Sequence, residues 1–393
     1  MTNDTKTQTD LATPLSFSEW AQKHQDTHEQ RIWKKQQCNA SIARQSMLEF
    51  AEGAAKEPLL PIFSFTHAPS LRRSRHGDKE QQERLKLIYK ELESSGLNRK
   101  LSLPSLELET QLHELLTQFP NFSDVIETVI APHLHMLRCG RVMRMLPLLL
   151  VGPAGIGKTA FSRQVARLCN AGEPVFVSMA EEDNGSALIG SSTYWANTQP
   201  GALFAALAWG PGGMAESQGH AVANPIIVLD EIDKVVQDAN QKSGADPTGS
   251  LYRLLEEETS KRVQDRSLTD LVMDTSHVRY IATANALDPI PEPLKSRLEI
   301  FHIQAPDAQQ LRAIAKNMVK DAIKAHGFAV RPEVPEDVLQ AMTSFEPRQL
   351  KNKIQTALAL ATMEHSTEIT LAHWCKATRS GSASIKRPMG FIN

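Results

Sequence analysis

The sequence predicts an α/β core built on a five-stranded parallel sheet, followed by a small all-helical lid domain and preceded by a helical, partly disordered N-terminal region. Three observations lead there. Between about residues 105 and 305, short apolar runs alternate with helical patterns, as in parallel sheets covered by helices on both faces. Beyond Pro306 those runs stop, and only the i, i+3, i+4 spacing of amphipathic helices remains. The first hundred residues are mostly polar or charged.

In chain order, the polar, Thr-rich start reads as a disordered tail and the stretch from Ser16 to Glu52 as helical. Pro58, Pro61 and Pro69 punctuate an apolar stretch that reads as a linker or packing segment. Leu71 to Lys100 carries nine basic and five acidic residues, net +4, and reads as a solvated helical face rather than a binding patch. Leu106–Leu116 and Val125–Leu137 follow as amphipathic helices. The strand candidates are Leu148–Val151, Val175–Ser178, Ile226–Asp230, Val278–Thr283 and Glu299–Ile303, each too short and too uniformly apolar for a helix. Leu311 to Ile323 forms a helix ended by Gly327, and Val338–Met342 and Leu350–Met363 supply two more. The expected boundaries are 1–104, 105–305, 306–378 and a polar tail, 379–393.

Composition removes several functional classes. Lys+Arg number 43 and Asp+Glu 45, a net charge of −2, so a globally basic nucleic-acid binder is excluded. The four cysteines form no C-x-x-C pair, which argues against a disulfide framework or a structural zinc. No apolar run approaches a membrane span, and the polar N-terminus lacks the layout of a secretory signal. The expected location is cytoplasmic, without a membrane partner.

Gly152-Pro153-Ala154-Gly155-Ile156-Gly157-Lys158-Thr159 stands between an apolar run and a helical pattern. This is the G-x-x-x-x-G-K-[ST] phosphate loop in its strand–loop–helix setting. The glycines let successive backbone N–H groups turn inward, and the helix N-terminus adds its positive end. Lys158 is placed to meet the β- and γ-phosphates of ATP, and the Thr159 hydroxyl to ligate Mg²⁺. Downstream, Ile226–Leu229 runs into Asp230 and Glu231. Asp230 should hold Mg²⁺ directly or through water, while Glu231 acts as general base on the attacking water. Asn285, just past a third apolar run, suits a hydrogen bond to that water or to the γ-phosphate. Arg297 suits transition-state stabilisation from a neighbouring subunit. Arg348, beside Pro347 at a helix start, is placed to report the phosphates from the helical domain.

These motifs resemble those of the AAA+ ATPases, and most closely the ATPase module of Lon-type proteases. The similarity runs from about Pro147 to His365. It includes Gly190–Gly201, Gly244–Leu251 and Ile281–Arg297, which resemble Lon segments outside the nucleotide motifs. The resemblance implies the roles Walker A (Gly152–Thr159), Walker B (Ile226–Glu231), sensor 1 (Asn285), arginine finger (Arg297) and sensor 2 (Arg348). It also implies a homo-oligomeric, hexameric ring, and it makes Tyr194 and Trp195 a substrate-gripping pore loop. Such aromatics suit an extended polypeptide, stack equally on nucleic-acid bases, and also occur as ordinary core pairs.

Some features depart from the family. Only about 15 residues follow Thr378, too few for the Ser–Lys peptidase domain, so no protease activity is expected of the chain by itself. Ser191 and Ser192 replace basic residues before the pore-loop Tyr, and Glu346-Pro347 precedes Arg348 where Lon proteins have Gly-Val. The expected function is an ATP-driven remodeller or unfoldase of protein substrates or partner complexes. The alternatives are a DNA-acting motor or loader, and a nucleotide-gated scaffold with negligible turnover.

Overall fold

The computed structural model describes residues 57–66, 79–139, 141–181, 185–192, 198–211, 221–234 and 248–379. Tyr194 and Trp195 lie outside them, as do the expected disordered N-terminal tail, the Ser16–Glu52 helix and the C-terminal tail beyond Arg379.

The first strands are short: β1 (Leu59–Pro61), β2 (Phe63–Phe65) and, after helix α1 (Lys79–Ser95), β3 (Asn98–Lys100). β1 pairs antiparallel with β3, and β2 with a later strand, β7 (Leu271–Met273). The proline-punctuated stretch is therefore no linker. Its Leu60, Ile62 and Phe63 are buried in the same core as the central sheet. The +4 stretch is also only partly a solvated helix. Arg99 is 5% exposed, its guanidinium donating to the carbonyls of Leu207 and Ala208 at 2.7 and 3.1 Å and lying over the Phe63 ring. Burial lowers its pKa to about 10. Arg99 is a structural anchor, withdrawn from any basic surface.

Helix α2 (Leu108–Gln118) starts two residues later than expected, because Ser105 Oγ accepts from Glu107 N and forms a turn first. The next helical run passes through a π-turn at Ile126–Ile130 into α3 (Ala131–Arg138). Pro132 lies just beyond the π-turn and lacks the N–H that would continue the regular ladder. Strands β4 (Leu148–Val151), β5 (Val175–Ser178), β6 (Ile226–Asp230), β8 (Arg279–Ala284) and β9 (Glu299–His302) form the sheet, in the order β5-β6-β8-β4-β9. Every pairing within it is parallel. The helix after β4 is α4 (Lys158–Leu168), and α5 (Ala202–Ala208) and α6 (Gly249–Leu255) come later.

Five strands at the expected places bear out the fold class, with two shifts. β8 lies one residue later than expected and ends at Ala284, and β9 stops at His302. β4, β6 and β8 are almost wholly buried, as their apolar sequences require, whereas β5 and β9 are the half-exposed edges.

The C-terminal helices are α7 (Ala308–His326), α8 (Glu336–Met342), α9 (Pro347–Met363) and α10 (Leu371–Arg379). They enclose a second hydrophobic cluster containing Val319, Leu350, Ile354 and Trp374. Helix α7 begins at a capping box of Asp307 and Gln310 and ends at Gly327, whose φ of 66° suits glycine. No helix among the described residues is long and apolar enough to cross a membrane.

Candidate functional site

Because β4 lies beside β8, and β8 beside β6, their carboxyl ends open side by side. Val151 is level with Ala284, and Leu229 with Ala282. The loop after each strand therefore emerges at one edge, the usual place for a ligand in an α/β sheet.

The loop after β4 is Gly152 to Gly157. Gly155 and Gly157 have φ of 82° and 105°, a conformation that side chains disfavour. Gly152 is required by space, since a Cβ there would lie 2.3 Å from the Ile303 carbonyl oxygen. Gly152→Ala is expected to cost about 1–3 kcal/mol through overpacking. The check is a lower thermal midpoint together with weakened ATP binding. Lys158 opens α4 and is 9% exposed. Its Nζ donates to the carbonyls of Gly152 (2.6 Å) and Pro153 (3.0 Å) and to Asn285 Oδ1 (3.2 Å). Burial pushes its pKa down, while Asp230, Asp233 and Glu231 oppose the shift. Phosphate oxygens would compete for the same three N–H groups. Thr159, next along the helix, is exposed.

Asp230 ends β6, and its Oδ1 accepts from Thr283 Oγ1 on β8. The same Thr283 Oγ1 accepts from Glu231 N at 3.1 Å, fixing the two acids relative to the sheet. Glu231 has φ of 57°, sparsely populated for a residue with a side chain, and its carboxylate pairs with Lys234. Asp233 is 5% exposed, and its Oδ2 accepts from Asn285 N (3.2 Å) and Ala286 N (3.4 Å). The sequence reading overlooked Asp233 and Thr283. A Thr at the fifth residue of β8 and an Asp three past Asp230 carry no recognisable spacing until the strands are known to be neighbours.

Lys158, Asp230, Glu231 and Asn285 are thus brought together. Arg348 also approaches: a Cβ on Gly155 would stand 3.6 Å from Arg348 Cβ and 3.1 Å from Glu346 Oε2. The start of α9 therefore abuts the phosphate loop and brings a carboxylate with it. Arg297 is held elsewhere. Its partners include Glu256, Pro293 and Tyr252, none of them part of the loop.

Residues 148–304 match the family model described as "ATPase family associated with various cellular activities (AAA)". These residues are similar to a AAA domain. Lon protease 2 of Myxococcus xanthus is 29% identical over 64% of this chain and 28% of its own length. Lon protease 1 of Syntrophotalea carbinolica is 30% identical over 56% of this chain and 26% of its own. The chain thus spans about a quarter of the length of these relatives, and the similarity is to their ATPase module. A RuvB mutant structure from Thermotoga maritima overlays with a TM-score of 0.44 at 13% identity, covering 67% of this chain and 70% of that one.

Beside the phosphate loop lies a cavity of about 510 Å³. Phe119, Ile156 and Ala160 line one side, and Ile314, Met318 and Pro347 from the helical residues line the other. The aromatic side is rigid, with Phe122 stacked on Phe161 at 4.3 Å and Phe119 edge-on to both. Asn317 Nδ2 donates to the Thr117 carbonyl at 2.9 Å, tying α7 to α2 across it. Apolar walls next to a phosphate loop suit a flat heterocycle. Of these lining residues the sequence assigned a nucleotide-binding role only to Ile156.

Proposed function

We propose that this chain is an ATP-hydrolysing ring motor of Lon-like type, which remodels or unfolds protein substrates drawn through a central pore. The observation that carries the proposal is the convergence of Lys158, Asp230, Glu231 and Asn285 at the ends of three adjacent strands. In this reading residues 152–159 hold the triphosphate, the 510 Å³ cavity takes the base, and the helical residues act as a lid that moves with nucleotide state.

The donor set fits Mg²⁺. The Thr159 hydroxyl and the Asp230 carboxylate are hard oxygen donors of the kind that ion prefers. No group of three or more His, Cys, Asp or Glu among the described residues could hold a metal ion unaided. That suits an ion bound by one or two protein oxygens together with phosphate. Bound there, Mg²⁺ would neutralise charge on the phosphate oxygens. Glu231 takes a proton from the attacking water, Asn285 orients that water or the γ-phosphate, and Arg348 reports the phosphates to the lid. Arg297 serves the nucleotide of the next subunit, so the active unit is a homo-oligomer, a hexamer by analogy with Lon. Tyr194 and Trp195 grip the substrate.

A fluorescent protein with an unstructured tail tests this reading. Its fluorescence is expected to fall when the chain and ATP are both present, and to persist with a non-hydrolysable analogue. If the reporter survives but DNA stimulates turnover with a steep salt dependence, the motor acts on nucleic acid instead. Binding of ATP with no measurable turnover would make the chain a nucleotide-gated scaffold.

A further inference from the structure

Arg297 follows the short helix Glu292–Lys295, and its backbone N donates to the Leu294 carbonyl at 3.1 Å, so its Cα is fixed. The long side chain needs separate restraint, because a free arginine samples many rotamers. Three groups supply it. Nη1 donates to the Pro293 carbonyl at 2.6 Å, the guanidinium lies 5.6 Å from the centre of the Tyr252 ring, and Nε stands 3.2 Å from Glu256 Oε2. The side chain is still 30% exposed.

Glu256 is placed for this task by a break in the backbone. Helix α6 ends at Leu255, a new helical turn begins at Glu257, and Glu256 between them is extended, with φ −81° and ψ 133°. The Glu256–Arg297 approach is charge to charge rather than along the N–H, since Nε has no hydrogen-bond acceptor. Such a contact orients a cation without consuming its donors, and a half-exposed ion pair is weak enough to yield to a triphosphate.

We propose that Glu256 and Tyr252 are positioning residues for Arg297, holding its guanidinium ready to serve the nucleotide of the adjacent subunit. The inference rests on the trans role given to Arg297 above. On this reading neither residue serves the nucleotide of its own subunit, so their loss is a defect of the subunit that donates the arginine. It should lower kcat for a neighbour's ATP and leave KM nearly unchanged.

The experiment measures ATP turnover per competent site in homomeric Glu256→Gln protein and in mixtures with excess Lys158→Ala subunits, which keep Glu256 and Arg297. Homomeric Glu256→Gln is expected to lose about tenfold in kcat, with KM for ATP within twofold, an effect below that of removing the arginine itself. In the mixture its sites should recover wild-type turnover, because their neighbours now present a correctly held arginine. Arg297→Ala with the same Lys158→Ala partner is the parallel arm. If Arg297→Ala is rescued and Glu256→Gln is not, Glu256 acts within its own subunit and the proposal is overturned. If neither is rescued, the trans reading falls and takes the proposal with it. Wild-type kcat in homomeric Glu256→Gln also overturns it. Should Glu256→Gln fail to fold, Glu256→Asp, which withdraws the carboxylate by one methylene, is expected to show the same split and the same recovery. Failure of that recovery would count equally against the proposal.

Discussion

Glu231→Gln is expected to bind ATP within about threefold of wild type while turnover falls by about 10²- to 10⁴-fold, the usual worth of a general base. The structure makes the substitution a clean one. What fixes residue 231 is its backbone N–H, which donates to Thr283 Oγ1 at 3.1 Å, and an amide side chain leaves that bond in place. Lys158, Asp230 and Asn285 make contacts that do not pass through the Glu231 carboxylate. Only the proton acceptor is lost, along with the pairing to Lys234. Titration calorimetry with ATP and a phosphate-release assay separate binding from turnover. Equal rates for the variant and wild type would dismiss Glu231 as the base.

Arg297→Ala should be at least as severe, because an arginine supplied in trans is worth about 10³- to 10⁵-fold in phosphoryl transfer. The residues that converge on the sheet edge are Lys158, Asp230, Glu231 and Asn285, whereas Arg297 is occupied with Glu256, Pro293 and Tyr252. Wild-type turnover per subunit is therefore expected to rise with protein concentration as subunits associate, and that of the variant to stay flat. Light scattering and phosphate release over the same dilution series test both. Brisk turnover by a species that remains monomeric throughout would remove Arg297 from the mechanism.

The three central strands of the sheet were legible because they are buried on both faces, so each appears as a mostly apolar run whatever the register. Gly155 and Gly157 were legible because a positive φ restricts residue type locally, and Asp230 and Glu231 because they close an apolar run. What escaped depended on contacts distant in sequence. Thr283 matters only because β8 lies beside β6, and Phe119 only because α2 is carried back to α4 by the Phe122–Phe161 stack. Arg99 was misjudged for the same reason. Its charge belongs to a run with eight other basic residues, and nothing local shows that two carbonyls at 207 and 208 await it. The strands at 59–61 and 63–65 hid behind prolines, which are tolerated there because those pairings are short.

The cavity has a further consequence. Its aromatic floor belongs to the larger hydrophobic core and its roof to helices with a core of their own. A guest in this slot would touch both cores at once, so its fit would depend on how far apart they are held.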